Sequence, residues 1–435
     1  MPCLKLWGVG DGVKGVLIAR GAGLEWWVAT DGKGTMSCMR VIVKGFEETK
    51  NWNDRRRVVA TKTSALDDIT ALADGEREGE IVVSRVSGLV QRLKVVDLGG
   101  GGRPVVLEEK ARYALPMIER QRPGSTAVQA LHSNGGLLVS ASTTRLRPPN
   151  PNKLAQTMDE NDSLAHALAK RAAPKQHQIV LHSLSSPWES PSIISLPTKP
   201  WSVQLSPSST PTWLAIGHTG TSPLSLVQLD STGSPISTTP TPLAFTSKST
   251  SVYSLTTPSL NCSPFLRPDQ TLIAAFFDST TRIYDLRLPS PSSSSLVTSD
   301  WDSSSSSSTN EILRLIDPWS DDPSYSVSSG GSTGSYISVG SARNSAVRLF
   351  DIRSSSSSPV LKRGITAFGP GGDRSPVYGL GMENSRVWAV TERKGFVFNL
   401  QEGGAMEESV SYVEHEGERK GKLRRTGEGR IREID

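Results

Sequence analysis

Along most of the chain, apolar and polar positions alternate with a period of two over short stretches, and tight polar turns separate the stretches. That period belongs to strands with one covered face, and paired runs about a polar turn predict β-hairpins. Two pairs nearly superimpose. The first runs from an apolar strand at 271–277 through Asp278-Ser-Thr-Thr into Arg282-Ile283-Tyr284-Asp285-Leu286-Arg287. The second runs from 336–339 through Asn344-Ser-Ala-Val into Arg348-Leu349-Phe350-Asp351-Ile352-Arg353. Weaker copies pair 26–29 with 38–41, 80–85 with 93–95, 137–142 with 178–181, 213–217 with 224–229, and 387–390 with 396–400.

These make seven hairpins. Candidate strands precede six of them, at 68–72, 127–131, 201–205, 252–255, 325–327 and 377–380. Three strands per unit, with a fourth from the connecting segment, describe one blade of a propeller. A single such sheet cannot bury both of its faces, whereas radially stacked sheets can, leaving only short edges. The expectation is an all-β propeller of seven blades over residues 21–403, after an N-terminal segment at 1–20. Serine-rich loops are expected at 289–309 and 354–358, because such runs bury too little apolar surface to order. An insertion at 145–176 has helix-forming composition at its centre, with Leu164 and Leu168 one turn apart. Residues 404–435 read as a charged, flexible tail, with Lys420, Lys422, Arg424 and Arg425 set among glutamates.

The strands ending in Asp285 and Asp351 resemble the third strand of WD40 blades, with Tyr284 or Phe350 where that family usually carries Trp. By that resemblance, Asp278 joins a buried hydrogen-bond network in its blade, and Asn344 takes the same slot in the next. The order of motifs from Asp317-Pro-Trp319 through 340–353 to Ser375-Pro-Val-Tyr378 and Val387-Trp388 resembles the F-box and WD-repeat proteins of the dactylin type. The resemblance covers roughly residues 317–400. It implies a substrate receptor of a ubiquitin ligase, with a Skp1-type adaptor and a cullin as partners. No three-helix F-box pattern precedes the first blade. The reading from a different class is a general assembly scaffold, for example in RNA or ribosome maturation.

Composition narrows the classes. The chain has 435 residues, 36% of them hydrophobic, and the deficit lies in the Ser/Pro/Gly tracts. A formal charge of +5 is too dilute to argue for nucleic acid. Cys3, Cys38 and Cys262 lie far apart, which argues against a disulfide framework or a four-ligand zinc site. No apolar run approaches the length of a spanning helix, and no secretory signal is visible. The expected location is cytoplasmic or nuclear.

Candidate chemistry is sparse. Gly330-Gly-Ser332-Thr-Gly334 matches the nucleophile-elbow string but sits in a Ser/Gly stretch feeding a strand. Gly10 to Gly15 matches a dinucleotide-binding string without the strand–turn–helix context it needs. The six histidines show no metal-ligand spacing. Neither a cofactor nor an enzyme activity is expected; the expected work is protein binding. Propeller recognition uses loops around the channel and rim, where Arg, Tyr and Trp are favoured. The candidates are Trp319, Arg282, Arg348, Tyr378, Trp388 and Trp201. Tyr378, Trp388 and Trp201 sit in strand patterns that suit a core equally well. Asp278, Asp285, Asn344 and Asp351 are read as structural blade residues, with Asp285 and Asp351 bonding local backbone.

Overall fold

The computed structural model describes residues 2–9, 13–20, 23–29, 36–44, 68–97, 105–113, 115, 121–146, 175–259, 266–287, 310–331, 333–354, 360–361, 364–369, 373–383, 386–399, 411–414 and 431–434. Seven four-stranded antiparallel units follow one another along them. Blade 1 is β1 (Cys3–Val9), β2 (Val13–Arg20), β3 (Gly23–Ala29) and β4 (Met36–Lys44). Blade 2 is β5 (Ile69–Asp74), β6 (Glu80–Arg85), β7 (Val90–Asp97) and β8 (Val105–Tyr113). Blade 3 is β9 (Gln121–Asn134), β10 (Leu137–Leu146), β11 (Lys175–Ser183) and β12 (Ser192–Leu196). Blade 4 is β13 (Pro200–Leu205), β14 (Trp213–Gly220), β15 (Leu224–Gln228) and β16 (Thr241–Ala244).

Blade 5 is β17 (Thr250–Thr256), β18 (Thr271–Phe276), β19 (Thr280–Asp285) and β20 (Glu311–Ile316). Blade 6 is β21 (Ser324–Gly330), β22 (Tyr336–Ser341), β23 (Ala346–Asp351) and, after the short β24 (Val360–Leu361), β25 (Gly364–Phe368). Blade 7 is β26 (Gly379–Glu383), β27 (Arg386–Val390), β28 (Lys394–Asn399) and β29 (Ser411–Glu414). A last strand, β30 (Ile431–Ile434), pairs with β25.

The first strands of the blades touch in the order β1, β5, β9, β13, β17, β21, β26, and β26 returns to β1. The ring is therefore closed, and the fold is a seven-bladed β-propeller. Seven apolar clusters fill the seven gaps between neighbouring blades. The closing gap holds Val16 and Ile18 of blade 1 against Trp388, Val390 and Val397 of blade 7. The second strand of each blade faces a neighbour on both sides, so it reads as a continuous apolar run rather than an alternation. All six residues of β18 are buried, from Thr271 to Phe276. Each large aliphatic side chain buried in this way contributes about 1.5–3 kcal/mol. Outer strands return to alternation, as in β12.

The ring corrects the N-terminal boundary. Residues 1–20, expected as a separate segment, supply β1 and β2, and the hairpin expected at 26–41 is the third and fourth strands of blade 1. Val16 to Ala19 are buried as a doubly covered second strand. Glycines and single charges on either side of that run disguise it in the sequence. The 404–435 tail likewise carries β29 and β30, which pair with β28 and β25. The expected helix inside 145–176 and the serine-rich loops at 289–309 and 354–358 lie, but for their end residues, outside the described residues.

Candidate functional site

A channel of about 710 Å³ runs down the axis, lined by the first strands of all seven blades. Four successive blades carry, in or at the edge of the first strand, an aromatic, a small and an aliphatic residue in a row. These are Trp201-Ser202-Val203, Tyr253-Ser254-Leu255, Tyr325-Ser326-Val327 and Tyr378-Gly379-Leu380. Because equivalent positions of neighbouring blades meet, the four aromatics form a run around one side of the channel. Trp201 and Tyr253 lie 4.9 Å apart, Tyr253 stacks on Tyr325 at 4.6 Å and 12°, and Tyr325 meets Tyr378 edge-on at 5.4 Å. Phe277, 48% exposed, extends the run from Tyr253 toward solvent at 5.6 Å.

Polar contacts fix the run. Trp201 Nε1 donates to Thr219 Oγ1 at 2.8 Å, and Thr219 Oγ1 shares a hydrogen bond with Ser251 Oγ at 2.8 Å. Lys199 Nζ lies 3.4 Å from the centre of the Trp201 ring, a cation held on an aromatic face. Burial, with Lys175 nearby, lowers its pKa. Burial and the neighbouring Tyr253 and Tyr378 push the Tyr325 phenol up to about 12, so it stays neutral near pH 7.

The small residues join the blades. Ser202 Oγ donates to Val252 O at 3.0 Å, and Ser326 Oγ donates to Val377 O at 2.7 Å. Each serine is paired across its hairpin with a glycine, Gly217 or Gly340. A Cβ on Gly340 would come within 2.8 Å of Val377 Cβ, and one on Gly217 within 2.7 Å of Val252 O. The glycines therefore leave the room in which the serine reaches the next blade. Blade 5 pairs Ser254 with Ala275 instead, and there the serine oxygen accepts from Val327 N at 3.2 Å.

The other side of the channel is built differently. Lys5 pairs with Asp74 at 2.7 Å, Thr70 Oγ1 bonds Ser84 Oγ at 2.9 Å, and Gln129 Oε1 accepts from Thr143 Oγ1 at 3.1 Å. His132 Nδ1 accepts from Leu205 N at 3.3 Å, and burial pushes its pKa down to about 3.

The residues singled out from the sequence separate into three groups. Tyr378 and Trp201 belong to the aromatic run. Trp319 stands 70% exposed on the turn between β20 and β21, with its backbone N–H donating to Asp317 Oδ1 at 3.0 Å. The remaining three candidates are interior. Trp388 is 2% exposed in the gap that closes the ring, so no partner can reach it. Arg282 is buried over the Phe276 ring at 4.2 Å and bonded to Asp278 and Thr280. Arg348 is buried too, with Nε 2.9 Å from Asp317 Oδ2 as an ion pair, Nη2 donating to Ser320 Oγ and Nη1 to Asp322 O. Both arginines hold turns together rather than face a partner.

Asp278 accepts from Thr280 N at 3.2 Å and Thr280 Oγ1 at 2.6 Å, capping its own turn and pairing with Arg282 rather than entering an interior network. Asp285 and Asp351 accept from Arg287 N and Arg353 N at 2.9 and 3.0 Å and pair with those guanidinium groups. Asn344 sits in the turn before β23 with φ 61, a left-handed conformation that Asn adopts more readily than most residues. The nucleophile-like string at 330–334 bridges β21 and β22 as a hairpin turn, where Gly334 N donates to Gly331 O, and Ser332 lies outside the described residues. Of the Gly10–Gly15 string, Val13 to Gly15 begin β2, and residues 10–12 lie outside the described residues. Among the described residues, no group of three or more His, Cys, Asp or Glu is placed to hold a metal. Tyr253, Tyr325, Phe277 and Lys199 are not among the sequence candidates. For the tyrosines the signal is the aromatic–small–aliphatic triplet repeated along the first strands of four successive blades.

No protein-family model matches the chain, and no curated protein matches it by sequence. Among solved structures, the β-propeller domain of Cps50 (Swd1) from Myceliophteria thermophila aligns with a TM-score of 0.47 at 11% identity. The alignment covers 89% of this chain and 92% of that one. The fold assignment rests on the closed ring of strands itself.

Proposed function

We propose that this chain is a protein-binding propeller that receives an extended segment of a partner at the aromatic side of its channel. The observation that carries this reading is the run Trp201–Tyr253–Tyr325–Tyr378, four partly exposed rings from four successive blades at one cavity. Tyr and Trp combine apolar area with a polar tip at little cost in side-chain entropy, and they dominate binding hot spots. Binding, not catalysis, is the work this arrangement suits. The narrower form of the reading, supported by the sequence resemblance at 317–400, is a substrate receptor of an SCF-type ubiquitin ligase. The broader form is an assembly scaffold.

The test is capture of partners from native cells with the tagged full chain, Tyr325→Ala and Gln129→Ala, read by quantitative mass spectrometry. Loss of a partner set by about tenfold in Tyr325→Ala, with retention in Gln129→Ala, is the expected result. Equal recovery by all three chains would overturn the channel site. A Skp1-type adaptor and a cullin in the retained set select the ligase form; a different stable complex without them selects the scaffold.

A further inference from the structure

The outer edges of the blades differ in how they are closed. A bare edge offers unpaired N–H and C=O groups to any extended chain. β4 and β8 close each other by parallel pairing. β20 is closed by β24, from the connection inside blade 6. β25 is closed by β30, which arrives from beyond the last blade. Its register is antiparallel, Gly364 with Ile434, Ile365 with Glu433, Thr366 with Arg432 and Ala367 with Ile431.

We propose that the outer edge of blade 6 is a strand-docking site, held in cis by the chain's own C-terminal strand and open in trans to a partner's extended strand. Two observations support an exchangeable occupant. The contact is a four-residue ladder, and so short a strand has little stability of its own. The strand also follows β29 of blade 7 and takes no part in the contacts between first strands that close the ring, so it can leave its edge without disturbing that ring. The edge beneath is preformed, because β25 is also paired with β23 along Ala346–Leu349 and buries Ala367. The ligand class follows from the resident: a strand running antiparallel to β25 with aliphatic, charged, charged, aliphatic side chains, as in Ile431-Arg432-Glu433-Ile434. Main-chain bonds supply the affinity in this mode of recognition.

The probe is a fluorescein-labelled synthetic peptide of residues 427–435. It is titrated into the full wild-type chain and into full-length Arg432→Pro/Glu433→Pro. Two adjacent prolines remove a ladder donor whichever of the two faces β25. The variant is expected to bind the peptide at least tenfold more tightly than the wild type, because its own strand no longer occupies the edge. The same peptide with both prolines is expected to bind neither chain. Backbone amides at 364–368 are expected to exchange faster in the variant and to be protected again by the peptide. Equal exchange at 364–368 in both chains would show that the tail does not hold the edge, and a variant that binds no peptide would remove the docking site. Equal binding by both chains would remove the competition.

Discussion

The ring handles polar groups in two ways. On the side of blades 4 to 7 several are paired across turns and between blades, although Thr250, Thr281 and Thr366 bury hydroxyls there with no hydrogen-bond partner among the described residues. Arg348 meets Asp317, Ser320 and Asp322, and Ser202 and Ser326 bond the neighbouring blade. Aromatic rings fill the space between these contacts along the channel. In blade 3, by contrast, the hydroxyls of Ser140 and Ser142, Nε2 of Gln178 and both ring nitrogens of His182 are buried with no hydrogen-bond partner among the described residues. His182 lies 5.5 Å from the Tyr113 ring of blade 2, and burial lowers its pKa to about 4. The difference between the Arg348 and His182 clusters shows that one blade architecture tolerates both kinds of interior contact. A paired interior fixes the geometry that recognition needs, whereas an unpaired one stores a cost that pH can reach.

The largest effect should come from breaking the Arg348 cluster. Arg348→Ala leaves Asp317 buried without its cation, and a loss of about 3–5 kcal/mol is expected in urea unfolding. Arg282→Ala should cost less, because its partner Asp278 is a third exposed and can be hydrated. Equal losses would erase the distinction between the two arginines.

The His182 cluster should respond to acid. The unfolded chain protonates His182 near its ordinary pKa of about 6.5, and the folded chain resists protonation down to about 4. Below about pH 6.5 the unfolded state therefore binds more protons, so stability falls as pH falls through this window. The contribution is on the order of 3 kcal/mol between pH 7 and 4. His182→Leu should lose less stability than the wild type over that range in paired urea titrations. Parallel curves would show that His182 titrates as freely in the fold as out of it.

The smallest of these effects tests the serine–glycine join. Gly340→Ala places a Cβ against Val377, and overpacking of this kind costs about 1–3 kcal/mol. Pairing the change with Ser326→Ala should recover little of the loss, because Val377 Cβ stays in the way. Full recovery in the double variant would locate the strain at the serine oxygen alone.

Much of the ring is legible in the sequence. The second strands of blades 2 to 7 and the first strands ahead of them lie where the apolar runs and the turns put them, because hairpins are local. Trp388 and Arg348 are harder to place. A strand residue's period tells which face it lies on, but in a propeller both faces of an inner strand meet another blade. An Arg at the head of a strand thus reads the same whether it is hydrated or paired with a buried aspartate. The first blade is hidden because glycines and single charges flank the short apolar run of its doubly covered strand, Val16 to Ala19. The candidate site is half visible. Tyr378 and Trp201 stand out by type, but nothing in the local pattern says that Tyr253 stacks on Tyr325 more than seventy positions away.

The sequence by itself determined the strands, the turns and the repeat, since these depend on side-chain period and on backbone conformations that neighbouring residues set. Tertiary structure alone decided that the seventh blade closes on the first, that four aromatics meet at one channel, and that the C-terminal strand lies on blade 6. Each of these joins segments far apart in the chain. They are fixed by which surfaces can be buried together, a property of the closed ring that no stretch of sequence carries alone.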